Sequence, residues 1–223
     1  MADRRYDNTK DLLLVGAGGH ALVIIDTIRL FQNHYNIIGV TDIDKSKTGG
    51  TVAEVPVIGT DNILESLYRS GLKKAFISIG AVTDFAPRLN AYNMAVTLGY
   101  ELINVIHGTS VISGRSQMGC GNAVLANAVI NSGAGIGNNC IINTGSIIEH
   151  ECTIGNNVHV APGSVICGRA SIADNCLIGA GSTVIQGVKI GENSIVGAGS
   201  VVINDIPPGS TAVGVPARII RKR

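Results

Sequence analysis

Only one histidine in this chain of 223 residues stands between two acids, in Glu149-His150-Glu151. An imidazole has an unperturbed pKa of about 6.5, so near neutral pH it can take a proton and return it. A carboxylate on one ring nitrogen selects the tautomer and raises the basicity of the other. His150 and Glu151 are therefore read as a general base and its helper, against the competing reading of an ordinary surface histidine. A second group lies near the start of the chain. Gly16-Ala-Gly-Gly-His-Ala21 is a loose GxGxxA pattern between an apolar run and a helical one. Such a turn offers backbone N–H groups and a helix N-terminus to an anion. Asp42 closes the next apolar run, where an acid can bind a ribose hydroxyl. A lone glycine pattern is a weak sign of a dinucleotide, and a bare packing turn is the alternative.

The element that must position His150 is a repeat. Seventeen consecutive hexads run from Ile106 to Val202 without an insertion, each led by an aliphatic residue or Met. A period of six fits neither the 3.6 of a helix nor the 2 of a plain strand. It fits a hexapeptide β-helix, in which each hexad makes one flat side of a prism and three make a coil of 18 residues. The whole repeat is about 5.7 coils, or roughly 27 Å at ~4.8 Å per stacked strand. The fifth residue of each hexad is usually small, as at Ala128, Cys140, Ser146, Cys152 and Ser164. Lead and fifth residues are expected to point inward, with Gly and Asn at the corners where positive φ is tolerated. That register puts Cys152 inside, which argues against a thiol nucleophile. It puts His150 and Glu151 outside, at a corner where neighbouring hexads carry Asn138-Asn139 and Asn156-Asn157.

Residues 11–105 alternate strand-like and helix-like runs, which predicts a small parallel α/β sheet. Apolar Leu22, Ile25, Ile28 and Leu30 would line one side of the first helix, and Asp61 would cap a helix through Tyr68. Further elements are expected as strands at 74–79 and 100–103 and a helix over 84–98. The chain thus divides into a disordered tail (1–10), a Rossmann-like half-domain (11–105), a β-helix (106–206) and a C-terminal tail (207–223) that ends in a short helix.

Composition excludes several classes. The net charge of +1 gives no electrostatic case for nucleic acid or an anionic membrane surface. No apolar run approaches the ~20 residues of a membrane span, and the polar N-terminus is no signal peptide. Five cysteines without a CxxC pair favour free thiols in a reducing cytoplasm. A zinc hydrolyase would need three converging imidazoles. The repeat holds only His107, His150 and His159, and half a coil separates the last two. His34 and His107 match no motif.

Asn143-Thr-Gly-Ser-Ile-Ile-Glu-His-Glu-Cys152, His159-Val-Ala-Pro-Gly163 and Gly214-Val-Pro-Ala-Arg218 resemble nucleotide-sugar acetyltransferases of the NeuD/PglD-like type. The resemblance spans nearly the whole chain. It implies a left-handed prism and acetyl transfer from acetyl-CoA to the 4-amino group of a UDP- or GDP-linked amino-dideoxy-sugar, for surface glycan synthesis. O-acetylation of a sugar hydroxyl, as on sialic acid, is the alternative it leaves open; a non-catalytic trimeric scaffold is a third reading. It assigns His150 as base and Glu151 as its assistant, with no metal. It places His159, the Gly168 backbone N–H and the small Ala180 and Ala198 along acetyl-CoA. It gives Gly18, Gly19, His20, Asp42, Gly80 and Asn143 to the nucleotide-sugar, although Ala81-Val-Thr-Asp84 departs from the Asn-rich turn expected after Gly80. It also implies a homotrimer in which His150 of one chain faces CoA bound largely on the next.

Overall fold

The computed structural model of the protein describes residues 6–81 and 84–222. They fall into two compact units that divide between Ile106 and His107.

The first unit is built on a six-stranded sheet. Strands β1 (Asp11–Val15), β2 (Asn36–Thr41), β3 (Thr51–Val52), β4 (Val55–Gly59), β5 (Lys74–Ile77) and β6 (Glu101–Leu102) lie in the order β3-β4-β2-β1-β5-β6. All neighbours are parallel except the β3–β4 pair. The central strand β1, Asp-Leu-Leu-Leu-Val, is buried along its length, as an interior parallel strand must be. Helices α1 (Gly19–Phe31), α2 (Leu64–Arg69) and α3 (Ala86–Leu98) complete the unit. Leu13, Val15, Leu64, Leu72, Ala75, Ile77, Ala91 and Ala95 pack as one apolar cluster.

Four expectations are corrected here. Residues 6–10 are not a disordered tail: Asp7 closes a turn through its carbonyl to the Lys10 and Asp11 N–H groups, and Tyr6 packs against the core. Residues 1–5 of that expected tail lie outside the described residues. Helix α1 buries Ala21, Ile24, Ile25, Thr27 and Ile28, whereas Leu22 and Leu30 are exposed, so the buried stripe is rotated from the one expected. Asp61 does not cap a helix, because its carboxylate accepts the Thr41 hydroxyl at 2.7 Å, and the chain enters α2 through a 3-10 turn. The helix expected over 84–98 begins at Ala86.

The second unit is the prism. Its strands are two residues long and pair in parallel at a constant offset of 18, such as Ile141↔His159 and Ile147↔Val165. The first face stacks Ala123–Val124, Ile141–Ile142, His159–Val160, Leu177–Ile178 and Ile195–Val196; the second runs from Val111–Ile112 through Ile147–Ile148 to Val201–Val202; the third from Gln117–Met118 to Lys189–Ile190. Lead residues from Val124 to Val202 are at most 5% exposed, and the small fifth residues from Ala128 to Ser200 are also buried. Alternating bulky and small inward residues fill a narrow interior without aromatic rings. Corners turn through left-handed residues at the fourth position of the hexad, with Asn at 139, 157, 175 and 193 and φ between 54° and 58°. The four amides also bond in a ladder, the first three donating through Nδ2 to the Oδ1 one coil on, at 3.0, 2.9 and 3.2 Å.

The C-terminal tail is a hairpin, not a helix. Ser210–Val213 continues the first face beside Ile195–Val196, and Arg218–Lys222 returns antiparallel to it. Gly214, Pro216 and the β-branched Ile219 and Ile220 oppose a helix there, while the period-two burial of Ser210 and Ala212 extends the sheet.

Candidate active site

His150 follows the second-face strand Ile147–Ile148 and stands at the corner between the second and third faces. Its Nδ1 lies 3.2 Å from Oε2 of Glu151, and half of each side chain is open to solvent. With Nδ1–H donated to that carboxylate, Nε2 is the nitrogen free to take a proton. Adjacent residues meet this way because Glu151 is itself the left-handed corner residue, at φ 59°. A long side chain in that conformation costs about 1–2 kcal/mol, which Gly or Asn largely avoids. Arg169, one coil further along the same column, has the same φ of 59°. Its N–H donates to the carbonyl of His150 at 3.0 Å and so anchors the histidine backbone.

Gly168 completes this group. A β-carbon placed on it would lie 2.5 Å from His150 Nε2, so the imidazole rests directly on the glycine backbone. Third-position N–H groups have no partner in the strand ladder. In the Asn column, Asn138, Asn156 and Asp174 side chains satisfy those of Cys120, Asn138 and Asn156. The Gly168 N–H makes no hydrogen bond among the described residues, although the residue is buried. A buried, unpartnered donor beside the free nitrogen of a histidine is suited to a developing oxyanion.

A second group lies at the other edge of the second face. His159 is 7% exposed on the first face, and its Nε2 accepts from the Asn143 amide at 3.0 Å. Asn143 in turn holds the Thr144 N–H through Oδ1 at 2.8 Å. Ala180 and Ala198 are exposed, one coil apart, at the adjoining corner. Between the two groups, Val111, Val129, Ile147, Val165 and Val201 point outward from the second face, and Val111 is 63% exposed. One prism therefore brings together His150, Glu151 and Gly168, and separately His159, Asn143, Ala180 and Ala198, but not both sets.

Cys152 is buried, as its register requires, and its Sγ donates to the Cys167 carbonyl at 3.1 Å. Burial raises its pKa, with Cys167 and Glu149 adding to the rise against two backbone hydrogen bonds. All five cysteines are free. No group of three His, Cys, Asp or Glu residues able to hold a metal ion occurs among the described residues.

In the first unit, the glycine turn, Asp42 and Gly80 all lie at the C-terminal ends of parallel strands, where α/β sheets bind ligands. Gly16 has φ +107°, and a β-carbon there would strike Ile79, so this glycine is a packing requirement. Gly18 and Gly19 have open space where a β-carbon would stand, at the N-terminus of α1. Gly80 approaches His20, its would-be β-carbon 3.7 Å from that of His20. Asp42 is more engaged than a free ribose ligand: Oδ2 accepts the Ala17 N–H and the Lys47 ammonium, both at 2.8 Å, and Oδ1 the Asp44 N–H at 2.9 Å. Burial pushes its pKa up, but these hydrogen bonds outweigh it and the net shift is downward. Sequence reasoning missed Arg88. This wholly buried arginine donates to the carbonyls of Ile77 at 2.6 Å and Ile79 at 2.7 Å, which holds the turn leading to Gly80. Its only sequence signal was a basic residue on an otherwise apolar helix face.

Among the described residues, no helix is long and apolar enough to cross a membrane. The fold and site define a hexapeptide-repeat acyltransferase with an α/β unit preceding the repeat. Residues 11–95 match the PglD N-terminal domain, and residues 133–168 and 169–204 each match the bacterial transferase hexapeptide (six repeats). PerB from Caulobacter crescentus, solved with CoA and GDP-perosamine, is 37% identical over 95% of this chain and 97% of its own, with a TM-score of 0.87. The acetyltransferase domain of PglB from Neisseria gonorrhoeae is 30% identical, covering 95% of this chain and 100% of that one at a TM-score of 0.86. WeeI from Acinetobacter baumannii is 26% identical over 95% and 100% of the two chains, with a TM-score of 0.83. None of the curated proteins compared with the chain matches it. The chain belongs to the NeuD/PglD-like family of sugar acetyltransferases, and its prism is the left-handed β-helix of that family.

Proposed function

We propose that this enzyme moves an acetyl group from acetyl-CoA to the 4-amino group of a nucleotide-linked amino-dideoxy-sugar, with His150 as the base. The observation that carries the reading is His150 Nε2 resting on Gly168, whose buried N–H has no partner. The amine nitrogen attacks the thioester carbon and forms the C–N bond. His150 Nε2 takes the amine proton, and the Glu151 carboxylate stabilises the imidazolium. The carbonyl oxygen gains charge against the Gly168 N–H. The C–S bond then breaks, and the imidazolium returns its proton to the CoA thiolate. His159, oriented by Asn143, and the small Ala180 and Ala198 are assigned to acetyl-CoA. Gly18, Gly19, His20, Asp42 and Gly80 are assigned to the nucleotide.

The active form is proposed to be a homotrimer. A threefold axis facing the apolar second face buries Val129, Ile147 and Val165. It also sets the His150 edge of one prism against the His159 and Ala180 edge of the next. Two half-sites on one chain then become one complete site between chains. The five free thiols support a reducing compartment, the cytoplasm. Surface glycan synthesis is the proposed use of the product.

Steady-state CoA release with a panel of GDP- and UDP-linked 4-amino sugars, beside free and nucleotide-linked sugars that offer only hydroxyls, tests the reading. Turnover confined to the amino sugars is expected. Turnover on hydroxyl acceptors alone would replace N-acetylation by O-acetylation, and no CoA release at all would reject acetyl transfer.

A further inference from the structure

A cavity of about 510 Å³ opens in the first unit one strand beyond Asp42, lined among others by Ile43, Asp61, Asn62 and Met94. Its size is that of a small-molecule site. None of these four residues belongs to the glycine turn or to the acetyl-transfer group. The order of features along the sheet edge gives the cavity a place. The glycine turn follows β1, Asp42 follows β2, and Thr60 and Asp61 follow β4, the next strand out. At ~4.8 Å per strand these positions step outward over about 10 Å. A nucleoside diphosphate laid along that edge puts its phosphates at α1, its ribose near Asp42 and its base in the cavity.

The lining has the chemistry of a base site. Ile43 is 86% exposed and Met94 43% exposed, so two large apolar side chains stand open at the cavity instead of in the core. A flat ring is the natural occupant of such a surface. Asp61 is half-buried, and its Oδ1 accepts the Thr41 hydroxyl at 2.7 Å. Its Oδ2 makes no hydrogen bond or ion pair among the described residues. Burial raises its pKa and the charge of Asp42 adds to the rise, as expected for a carboxylate short of donors. A partly desolvated acceptor of this kind seeks paired N–H donors.

We infer that Asp61 recognises guanine, through the N1–H and N2–H donors of the base, with Asn62 available to its O6 and Ile43 and Met94 against its ring. Uracil opposes the carboxylate with carbonyl oxygens on both sides of its one N–H. Adenine and cytosine each present a ring-nitrogen acceptor beside their amino group. Guanine alone sets two adjacent donors against the acid. The inference rests on the nucleotide-sugar reading and commits its nucleotide to GDP.

Calorimetric titration of the full-length protein with GDP, UDP, ADP and xanthosine diphosphate tests it, with CoA titrated in parallel as a measure of the intact prism. The wild type is expected to prefer GDP over UDP and ADP by roughly 5- to 150-fold, the scale of one good bidentate base contact. In Asp61→Asn the Thr41 hydrogen bond keeps its acceptor, but the amide now offers a donor. Xanthine carries a carbonyl where guanine carries the amino group. The variant should therefore lose GDP preference and gain xanthosine diphosphate, a change of sign that destabilisation cannot produce. Ile43→Ala, at a solvent-exposed position, should weaken all four nucleotides alike. Equal or tighter UDP binding by the wild type, an unchanged GDP preference in Asp61→Asn, or no nucleotide binding beside normal CoA binding overturns the inference. GDP binding in this pattern without any CoA release from GDP-amino sugars would reject acetyl transfer and leave the base assignment standing.

Discussion

His150 and Gly168 are 18 residues apart and act as one unit, because the prism places the imidazole of the first on the backbone of the second. Gly168→Ala forces a β-carbon to within 2.5 Å of Nε2, so the ring must move. A misplacement near 1 Å costs about 10²-fold in rate, so kcat should fall by that order while circular dichroism and melting temperature stay close to wild type. Unchanged kcat would remove the geometric basis of the base assignment. Cysteine chemistry runs the other way. Burial pushes Cys176 up to about 11 and raises Cys152, so both are protonated at neutral pH. Alkylation at pH 8 should label the exposed Cys120 and spare Cys140, Cys152 and Cys176 until the protein is unfolded; rapid labelling of Cys152 would contradict its inward register. Asp42 has a lowered pKa, so its contribution to stability is present above the unfolded value of about 3.9 and is lost as pH falls through the folded one. Acid unfolding of Asp42→Asn should lack that increment. The His150–Glu151 pair was legible because it broke a regular corner pattern. Arg88 and Asp61 were not, since each acts through strands distant in sequence and neither interrupts a repeat.

The hexad is the element that organises the second unit, and its corners carry more than turns. Asn157 occupies a left-handed position and sits in the middle of the amide ladder, accepting from Asn139 and donating to Asn175. Asn157→Ala should destabilise by about 2–3 kcal/mol, since it loses two hydrogen bonds and suits the conformation poorly. Asn157→Gly suits the conformation and should cost less. The order of the two melting temperatures separates backbone strain from hydrogen bonding, and equal values would dismiss the strain. Sequence periodicity located these strands because inward burial recurs every six residues. It did not locate the final hairpin, where Ser210 and Ala212 change to a period of two and only the exposed edge of the first face explains why they pair. On α1 it placed Ile25 and Ile28 correctly but not Leu22 and Leu30, because all four are equally apolar in sequence and only the sheet chooses among them.

At the scale of the molecule, the site residues divide into two groups on opposite edges of one apolar face, a separation visible only once the corners are assigned to faces. The proposed trimer accounts for this division. Native mass spectrometry should give a mass three times that of the chain. Val165→Glu, at the centre of the face, should yield monomers with turnover below about 1% of wild type, as expected when half of a constellation is removed. An active monomer would place the whole site on one chain. The nucleotide could not be read from the glycine turn, since phosphate binding by backbone N–H groups is blind to the base. The proposed base identity rests instead on a cavity formed by residues that follow β2, by the end of β4 and the turn after it, and by α3.

The central claim is that His150 takes the proton of an attacking amine. Its most direct measurement is CoA release from acetyl-CoA with a GDP-linked 4-amino sugar, at saturation, by wild type and by His150→Ala. A fall in kcat of roughly 10²- to 10⁴-fold, with acetyl-CoA affinity unchanged, is predicted. Equal turnover by the two proteins contradicts the account.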